Sequence, residues 1–146
     1  MKSIRLFLPV IAFVLLSTGV VLARMVRPWS YQELLDKSDL AVIATPTVTN
    51  DTKEHGDHPE RAGQPVIGVE TGFTVSVVLK GDKTLKDFIL HHYRADKMQV
   101  PNAPTFFAFD PAEKRTYILF LVREADGRYA PVVGQTDPGL AVKELR

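Results

Sequence analysis

Apolar residues occupy every second position over most of the stretch from Ile67 to Leu79, with polar residues or glycine between them. A period of two is typical of a β-strand that has one face against a core. A strand of this length cannot stay flat, and Gly68 and Gly72 on the outer face mark places where it can bulge or bend. The segment therefore predicts a long, curved strand, as in a barrel. Its predicted inward side chains are Ile67, Val69, Phe73, Val75, Val77 and Leu79.

The first predicted element is a short helix from about Tyr31 to Lys37. Ser30 and Glu33 have the spacing of a capping box, in which each side chain accepts a hydrogen bond from the other residue's backbone N–H. The helix leads into Leu40 to Ala44, an apolar run with β-branched residues that is typical of a short buried strand.

Further segments have strand patterns. Tyr117 to Val122 is apolar at every position, which indicates a central strand buried on both faces, and Ile118 and Phe120 are assigned to the core. Asp126 and Gly127 predict a hairpin turn after it. One short helix and five or six strands predict a mainly β antiparallel barrel or sandwich. The other predicted strands are Phe88 to Tyr93, Arg128 to Val133 and Leu140 to Leu145.

Residues Thr49 to Pro65 are rich in charged residues, histidine, glycine and proline, and they show no apolar period. Such a composition is typical of an exposed loop. We therefore predict a flexible loop at about 49–65. His55, Asp57 and His58 lie within it and could together hold Zn²⁺, but their spacing matches no rigid metal motif, and a solvated loop without a metal is the favoured alternative.

The order of these motifs resembles a family of bacterial secreted domains of uncharacterised function. Those domains are similar to the OB-type barrel of the netrin module and of tissue inhibitors of metalloproteinases. The resemblance covers roughly residues 31–142, and it implies a small OB-like antiparallel β-barrel with one short N-terminal helix. It does not extend to the inhibitors' chemistry, because they place an N-terminal cysteine on the protease zinc and this chain has no cysteine. The motifs are Ser38-Asp39-Leu40-Ala41-Val42, Phe73-x-Val75-x-Val77-x-Leu79-Lys80-Gly81, Tyr117-x-Leu119-x-Leu121, and Asp126-Gly127-x-Tyr129-x-Pro131-Val132-x-Gly134-Gln135.

The N-terminal segment has the pattern of a secretory signal. Lys2 and Arg5 precede an apolar run from Leu6 to Ala23, which ends in small residues that suit cleavage after Ala23. The alternative is an uncleaved membrane anchor, since the run is about as long as the shortest spans of a bilayer. Either interpretation predicts export of residues 24–146 as one domain, which is periplasmic, extracellular or membrane-anchored.

The charge balance and the lack of cysteine exclude several functions. Removing Lys2 and Arg5 from the 18 basic residues leaves 16 against 17 acidic ones, so the exported part lacks the basic surface that nucleic-acid binding requires. With no cysteine there is no disulfide, thiolate nucleophile or thiolate metal site. An exported domain without disulfides is more usual in bacteria than among small animal secreted domains.

His91 and His92 are adjacent on a predicted strand, where neighbouring side chains point to opposite faces. They therefore cannot form one site by themselves. A histidine on the core face, beside Phe88 and Leu90, is expected to be a hydrogen-bonded structural residue.

The sequence assigns no catalytic, cofactor-binding or metal-ligating residue. None of its serines lies in a nucleophile elbow, and there is no glycine-rich phosphate loop. Carboxylates distant in the chain can nevertheless converge in space. The serines are Ser3, Ser17, Ser30, Ser38 and Ser76, and the carboxylates near predicted turns are Asp110, Glu113, Glu124 and Asp126.

These observations favour a non-catalytic extracytoplasmic binding or scaffolding module without a cofactor, whose partner is another protein or an envelope component. The segment from Thr49 to Pro65 is the first candidate surface and Ala95 to Thr105 the second, because loops carry most binding sites. The alternative is a hydrolase or a metal-dependent enzyme whose site is assembled from distant residues.

Overall fold

The computed structural model describes residues 26–146 and is mainly β. The one α-helix within these residues, α1, spans Tyr31–Lys37. The predicted signal peptide or anchor over residues 1–23 lies outside the described residues. Within residues 26–146, no helix has the length and apolar character needed to cross a membrane. The strands are β1 (Leu40–His58), β2 (Arg61–Lys80), β3 (Asp87–Ala95), β4 (Thr116–Arg123), β5 (Tyr129–Pro131) and β6 (Val142–Leu145).

A capping box begins α1, as the sequence predicts. The Ser30 hydroxyl accepts a hydrogen bond from the Glu33 backbone N–H at 3.2 Å, and the Glu33 carboxylate accepts one from the Ser30 N–H at 3.0 Å. Leu34 is the buried residue of the helix, and it packs with Ala41 of β1 and Phe120 of β4. The helix therefore covers one face of β1 and β4.

The strands pair as one sheet that closes partly into a ring. β1 is antiparallel to β2 and, from Leu40 to Ala44, also to β4. β2 is antiparallel to β3, and β3 has one parallel pair with β5, between Leu90 and Tyr129. β5 is antiparallel to β4, which brings the order back to β1. β6 also pairs with β4, from Thr116 to Leu119, so β5 and β6 follow one another along the same side of that strand.

Side chains of β1 and β4 alternate between two apolar clusters, which confirms that Tyr117 to Val122 is a central strand. The smaller cluster lies under α1 and contains Phe120, with Ile118 packed against it. In the larger cluster the ring of Phe73 stacks on Phe88 at a centroid distance of 5.2 Å and meets the edge of Phe109 at 5.2 Å. The larger cluster contains Leu40, Val42, Ala44, Phe73, Phe88, Leu90, Phe109, Tyr117, Leu119, Leu121 and Val142.

The prediction that Val77 and Leu79 face the core is wrong. Their exposed fractions are 45% and 44%, whereas Val78 packs against the larger cluster. The cause is a shift in register: Ile43 pairs with Val77, but the next residue of β1 pairs with Val75, so β2 has one extra residue there. An extra residue in a strand reverses the faces of the side chains beyond it.

The predicted loop at about 49–65 is a β-hairpin instead. β1 runs through to His58 and β2 begins at Arg61, with pairs such as Asn50 with Glu70 and Gly56 with Val66. Backbone hydrogen bonds hold a strand whatever its side chains, so polar residues on both faces hide it from a search for apolar periods.

The segment after β3 contains no strand until Thr116, in agreement with the second predicted loop. The fully buried Gln64 fixes its start: the side-chain amide donates to the Met98 carbonyl at 3.1 Å and accepts from the Val100 N–H at 2.9 Å. A residue of the hairpin thus supplies hydrogen bonds that the irregular backbone would otherwise lack.

Glycine at position 68 makes room for a large bulge in β1. Residues 52–54 lie opposite Gly68 alone, between pairs at Val69 and Ile67. A side chain at position 68 would place its Cβ 2.6 Å from Thr52 Oγ1 and 2.9 Å from Glu54 Cβ. The bulge therefore depends on the missing side chain, but its extra residues lie in β1, whereas the sequence predicts a bulge or bend in the glycine's own strand. The pairing also slips opposite Gly72, the other glycine predicted to mark a bend.

We expect Gly68→Ala to lower the free energy of unfolding by about 1–3 kcal/mol, because crowding a packed site costs about that much. Gly56→Ala is the matched control: it lies in the same hairpin, and its added Cβ would meet nothing within 4 Å. Its effect should stay within about 0.5 kcal/mol. Urea denaturation of both variants measures the difference, and equal stabilities would contradict the packing argument.

Candidate functional site

Charged side chains from distant parts of the chain converge where the bulge of β1, β3 and the β4–β5 turn meet. Ion pairs at 2.8–3.1 Å join them into one group. We call this group the carboxylate network, and it consists of His91, Arg128, Glu54, Glu70, Glu124 and Asp126.

His91 lies at the centre of the carboxylate network and is 4% exposed. Its Nδ1 lies 2.9 Å from Glu124 Oε2, and its Nε2 lies 3.0 Å from Glu54 Oε2. Each ring nitrogen therefore faces a carboxylate, a group that only accepts hydrogen bonds when it is ionised. His91 thus links the bulge of β1 to the end of β4.

Arg128 pairs closely with three carboxylates of the network, one of which, Glu54, also contacts His91. Its guanidinium donates to Glu54 Oε1 at 3.0 Å, to Glu70 Oε1 at 3.1 Å and to Asp126 Oδ2 at 2.8 Å. Burial opposes the charge of Arg128, but the hydrogen bond and the negative charge of Glu54 outweigh it and raise the arginine pKa. Burial also opposes the charge of Glu54 and by itself would raise the pKa of that carboxyl. The contacts with Arg128 and His91 nevertheless lower the Glu54 pKa overall.

An open cavity of about 420 Å³ adjoins the carboxylate network, between the end of the β1–β2 hairpin and β5. We call it the main cavity. Apolar side chains supply most of its walls, and the carboxylates of Glu60 and Glu124 lie among them. Its lining residues are Pro59, Glu60, Tyr93, Val122, Glu124, Ala130, Pro131, Val132, Gly134 and Gln135.

Glu60 ties the hairpin end to the chain after β5. Its carboxylate accepts hydrogen bonds from the backbone N–H groups of Gln135 and Thr136, each at 2.9 Å, and from the Thr136 hydroxyl. Burial alone would raise the pKa of Glu60, but these hydrogen bonds lower it. Gly134 allows this approach, since a Cβ there would lie 2.6 Å from Glu60 Oε1.

Tyr93 separates the main cavity from a smaller one of about 220 Å³, whose lining includes Glu54 and Asp57. The edge of its ring packs against His91, with ring centroids 4.9 Å apart. Burial, followed by the negative charges of Glu54 and Glu124, raises the tyrosine pKa. The surroundings of Tyr93 therefore disfavour a negative charge on its phenol oxygen.

The structure does not bring His55, Asp57 and His58 together as a metal site. His58 is 2% exposed: its Nδ1 accepts from the Glu60 N–H at 3.1 Å, and its Nε2 lies 3.3 Å from the Gln135 carbonyl. Asp57 accepts from the Gly63 N–H at 3.0 Å, and His55 is exposed. Within residues 26–146, no group of three or more histidine or acidic side chains is arranged to hold a metal ion.

His92 is the structural histidine that the strand pattern predicts. It is 2% exposed, its Nε2 lies 2.9 Å from the Thr71 hydroxyl, and its ring meets the edge of Phe109 at 5.3 Å. Burial, followed by the positive charge of His91, lowers its pKa to about 4. The two neighbouring histidines thus lie in opposite environments, one among carboxylates and one in the core.

The four carboxylates that the sequence places near turns lie in different parts of the structure and have different partners. Glu124 and Asp126 belong to the carboxylate network, whereas Asp110 accepts from the Ala112 N–H at 2.9 Å and Glu113 pairs with Arg115 at 2.8 Å. Sequence reasoning missed the contributions of Glu54, Glu70 and Arg128. The one available signal was a glycine at position 68, which marks a bulge that turns Glu54 towards β3.

No family model matches the chain, and no curated protein is significantly similar to it. The function of the site must therefore be argued from its own geometry and chemistry.

The lowered pKa of His92 predicts acid sensitivity. The unfolded chain takes up a proton near pH 6.5, whereas the folded chain takes it up only near pH 4. The stabilisation is therefore complete above about pH 6.5 and is lost as the pH falls towards 4, by up to about 3 kcal/mol. Denaturation from pH 7 to pH 4 should show this loss in the wild type relative to His92→Phe. Parallel stability curves for the two proteins would contradict the assignment.

Proposed function

We propose that the chain is an exported, non-catalytic binding module built on an OB-like barrel, and that the main cavity is where it binds another protein or an envelope component. Signal cleavage after Ala23 would release residues 24–146 outside the cytoplasm. The same residues would act from a membrane anchor if the segment stayed in place.

The order of strand pairing supports an OB-like barrel. A five-stranded Greek-key barrel of this kind requires a ring in which the third and fifth strands meet, and here β3 pairs with β5. The proposal includes the likeness to the netrin module and to tissue inhibitors of metalloproteinases as a likeness of fold. Inhibition of metalloproteinases is not part of it, since the chain has no cysteine.

The position of the main cavity carries the proposal. OB barrels bind ligands on the face of their second and third strands, between the loops that follow the first and fourth strands. The main cavity adjoins both loops: Pro59 and Glu60 follow β1, and Glu124 follows β4. Its volume of about 420 Å³ lies within the usual range for ligand pockets.

The state of His91 favours binding over catalysis. A general base must reach the proton that it removes, and both nitrogens of His91 are engaged by carboxylates. Its ring is almost completely buried and is not among the residues that line the main cavity. The contacts of His91 with Glu54 and Glu124 therefore resemble a structural link between strands more than a catalytic acid–base pair.

One observation favours the alternative of a hydrolase or metal-dependent enzyme. Glu54, His91 and Glu124 are far apart in the chain, and the fold brings them into direct contact. Acidic and basic side chains that converge beside a cavity are a common feature of active sites. Turnover in a broad hydrolase screen, abolished by His91→Gln, would establish this alternative.

Export can be tested on protein recovered from the cell envelope of a bacterial host. We expect N-terminal sequencing to give a start at Arg24, because the residues before it suit signal peptidase. A start at Met1 in the membrane fraction would indicate the anchor, and recovery from the cytosol would contradict export altogether.

Binding can be tested by affinity capture from the envelope with the full chain as bait. We expect saturable capture of one partner that Val122→Arg abolishes, because the new side chain would fill the main cavity and bring a positive charge beside Glu124. Val77→Arg is the matched control, since Val77 is 45% exposed and lies outside that lining. Equal capture by the two variants would rule out the main cavity as the binding site.

A further inference from the structure

We propose that His91 is a proton-dependent link between the two cavities, and that loss of one proton from its ring frees the Glu124 side chain inside the main cavity. The inference rests on the proposed function only where it treats the main cavity as the binding site. Three observations support it: the place of the ring between the cavities, the number of protons that its two contacts need, and the different partners of its two carboxylates.

The ring of His91 joins one carboxylate from each cavity. Its Nδ1 lies 3.1 and 2.9 Å from the two oxygens of Glu124, which lines the main cavity. Its Nε2 lies 3.0 Å from Glu54 Oε2, and Glu54 lines the smaller cavity. The histidine is 4% exposed, so these carboxylates rather than water are the partners of its ring. A change at one ring nitrogen therefore alters one particular cavity.

Both contacts of the His91 ring are hydrogen bonds only when they contain two protons. A neutral imidazole has one N–H and one bare nitrogen, and the bare nitrogen only accepts hydrogen bonds, as an ionised carboxylate does. Two acceptors at this distance repel each other, and burial strengthens the repulsion. An imidazolium ring supplies both protons. When it loses one of them, one of the two contacts therefore parts.

The contact with Glu124 is the one that parts, because Glu54 has a second close partner. Arg128 donates to Glu54 Oε1 at 3.0 Å, but its Nε lies 3.7 Å from Glu124 Oε2. Both oxygens of Glu124 instead face the same ring nitrogen. The remaining proton therefore stays on Nε2 with Glu54. Glu124, whose side chain is already 30% exposed, turns away into the open space of the main cavity.

Several neighbours of His91 keep one charge state while the link changes. Burial, followed by the charge of His91, lowers the pKa of His92 to about 4, and burial raises the pKa of Tyr93. Both are therefore neutral from about pH 5 to about pH 8, the range in which histidine usually titrates. Burial alone would raise the pKa of Glu54, but Arg128 and His91 lower it, so Glu54 stays ionised there. The charged and titratable groups around His91 are Glu54 of β1, Glu70 of β2, His92 and Tyr93 of β3, Glu124 after β4, and Asp126 and Arg128 of the β4–β5 turn.

Nitrogen NMR of the histidine rings, in the full chain in detergent micelles, tests the link directly. From about pH 5 to about pH 9, the His91 ring should change from two protonated nitrogens to one, on Nε2. The methyl signals of Val122 and Val132, which line the main cavity, should change over the same range. A ring that keeps one protonation state throughout would overturn the inference. A neutral ring beside a protonated Glu124, detected by the shift of the side-chain carboxyl carbon, would overturn it too.

Glu124→Gln tests whether the change in the cavity passes through Glu124. The glutamine oxygen accepts from a protonated Nδ1 and its amide nitrogen donates to a bare one, so the contact persists in both states. We expect the ring still to lose its proton, but the pH-dependent changes of the cavity methyl signals to disappear. Glu144→Gln is the matched control, since Glu144 pairs with Arg115 on β6 and lines neither cavity. Methyl changes that persist in Glu124→Gln would contradict the link, and unchanged core methyl signals confirm that each variant is folded.

Capture from the envelope separates this inference from the proposed function. A partner in the main cavity should bind about threefold less tightly at about pH 9 than at about pH 6, because ordering the freed Glu124 side chain opposes binding. Glu124→Gln should remove that difference. Capture that is independent of pH, together with the expected NMR changes, would count against the main cavity as the binding site. Unchanged NMR signals, with capture still abolished by Val122→Arg, would overturn the link and leave the proposed function intact.

Discussion

Polar side-chain contacts join the outer half of the β1–β2 hairpin to β4 and to the chain after β5, because β1 parts from β4 after Ala44. Beyond that point β1 pairs with β2 alone, and the hairpin reaches β4 and β5 through side chains. His91 joins Glu54 of the hairpin to Glu124 at the end of β4, and Glu60 holds the chain after β5. Both cavities lie among these contacts, so the shape of the candidate site follows from them.

Charged residues of the same type contribute differently to the stability of this fold. Arg115 is 45% exposed and pairs with two surface carboxylates, which is the kind of contact that adds little stability. Arg128 is 18% exposed and makes close contacts with three carboxylates, one of which also binds His91. Partly buried networks of this kind are stronger because each bond polarises its neighbours. Position in the fold, rather than residue type, therefore distinguishes the two arginines.

The sequence predicts those parts of the structure that local chemistry determines. The capping box at Ser30 is local, and helix α1 is where it was expected. The faces of Val77 and Leu79 depend on an extra residue that only pairing with β1 reveals. The hairpin at 49–65 was hidden because its side chains are polar on both faces. The carboxylate network could not be predicted, because Glu54, His91 and Arg128 meet only after the ring of strands has formed.

The short strand β6 also affects whether chains can associate in solution through the edge of the sheet. Among the described strands it pairs with β4 alone, so its other side presents backbone groups to which a neighbouring chain could add. Only four residues form this edge, and Lys143 and Glu144 occupy its middle. Short length and alternating charge both discourage strand addition. This open edge thus carries its own protection against aggregation.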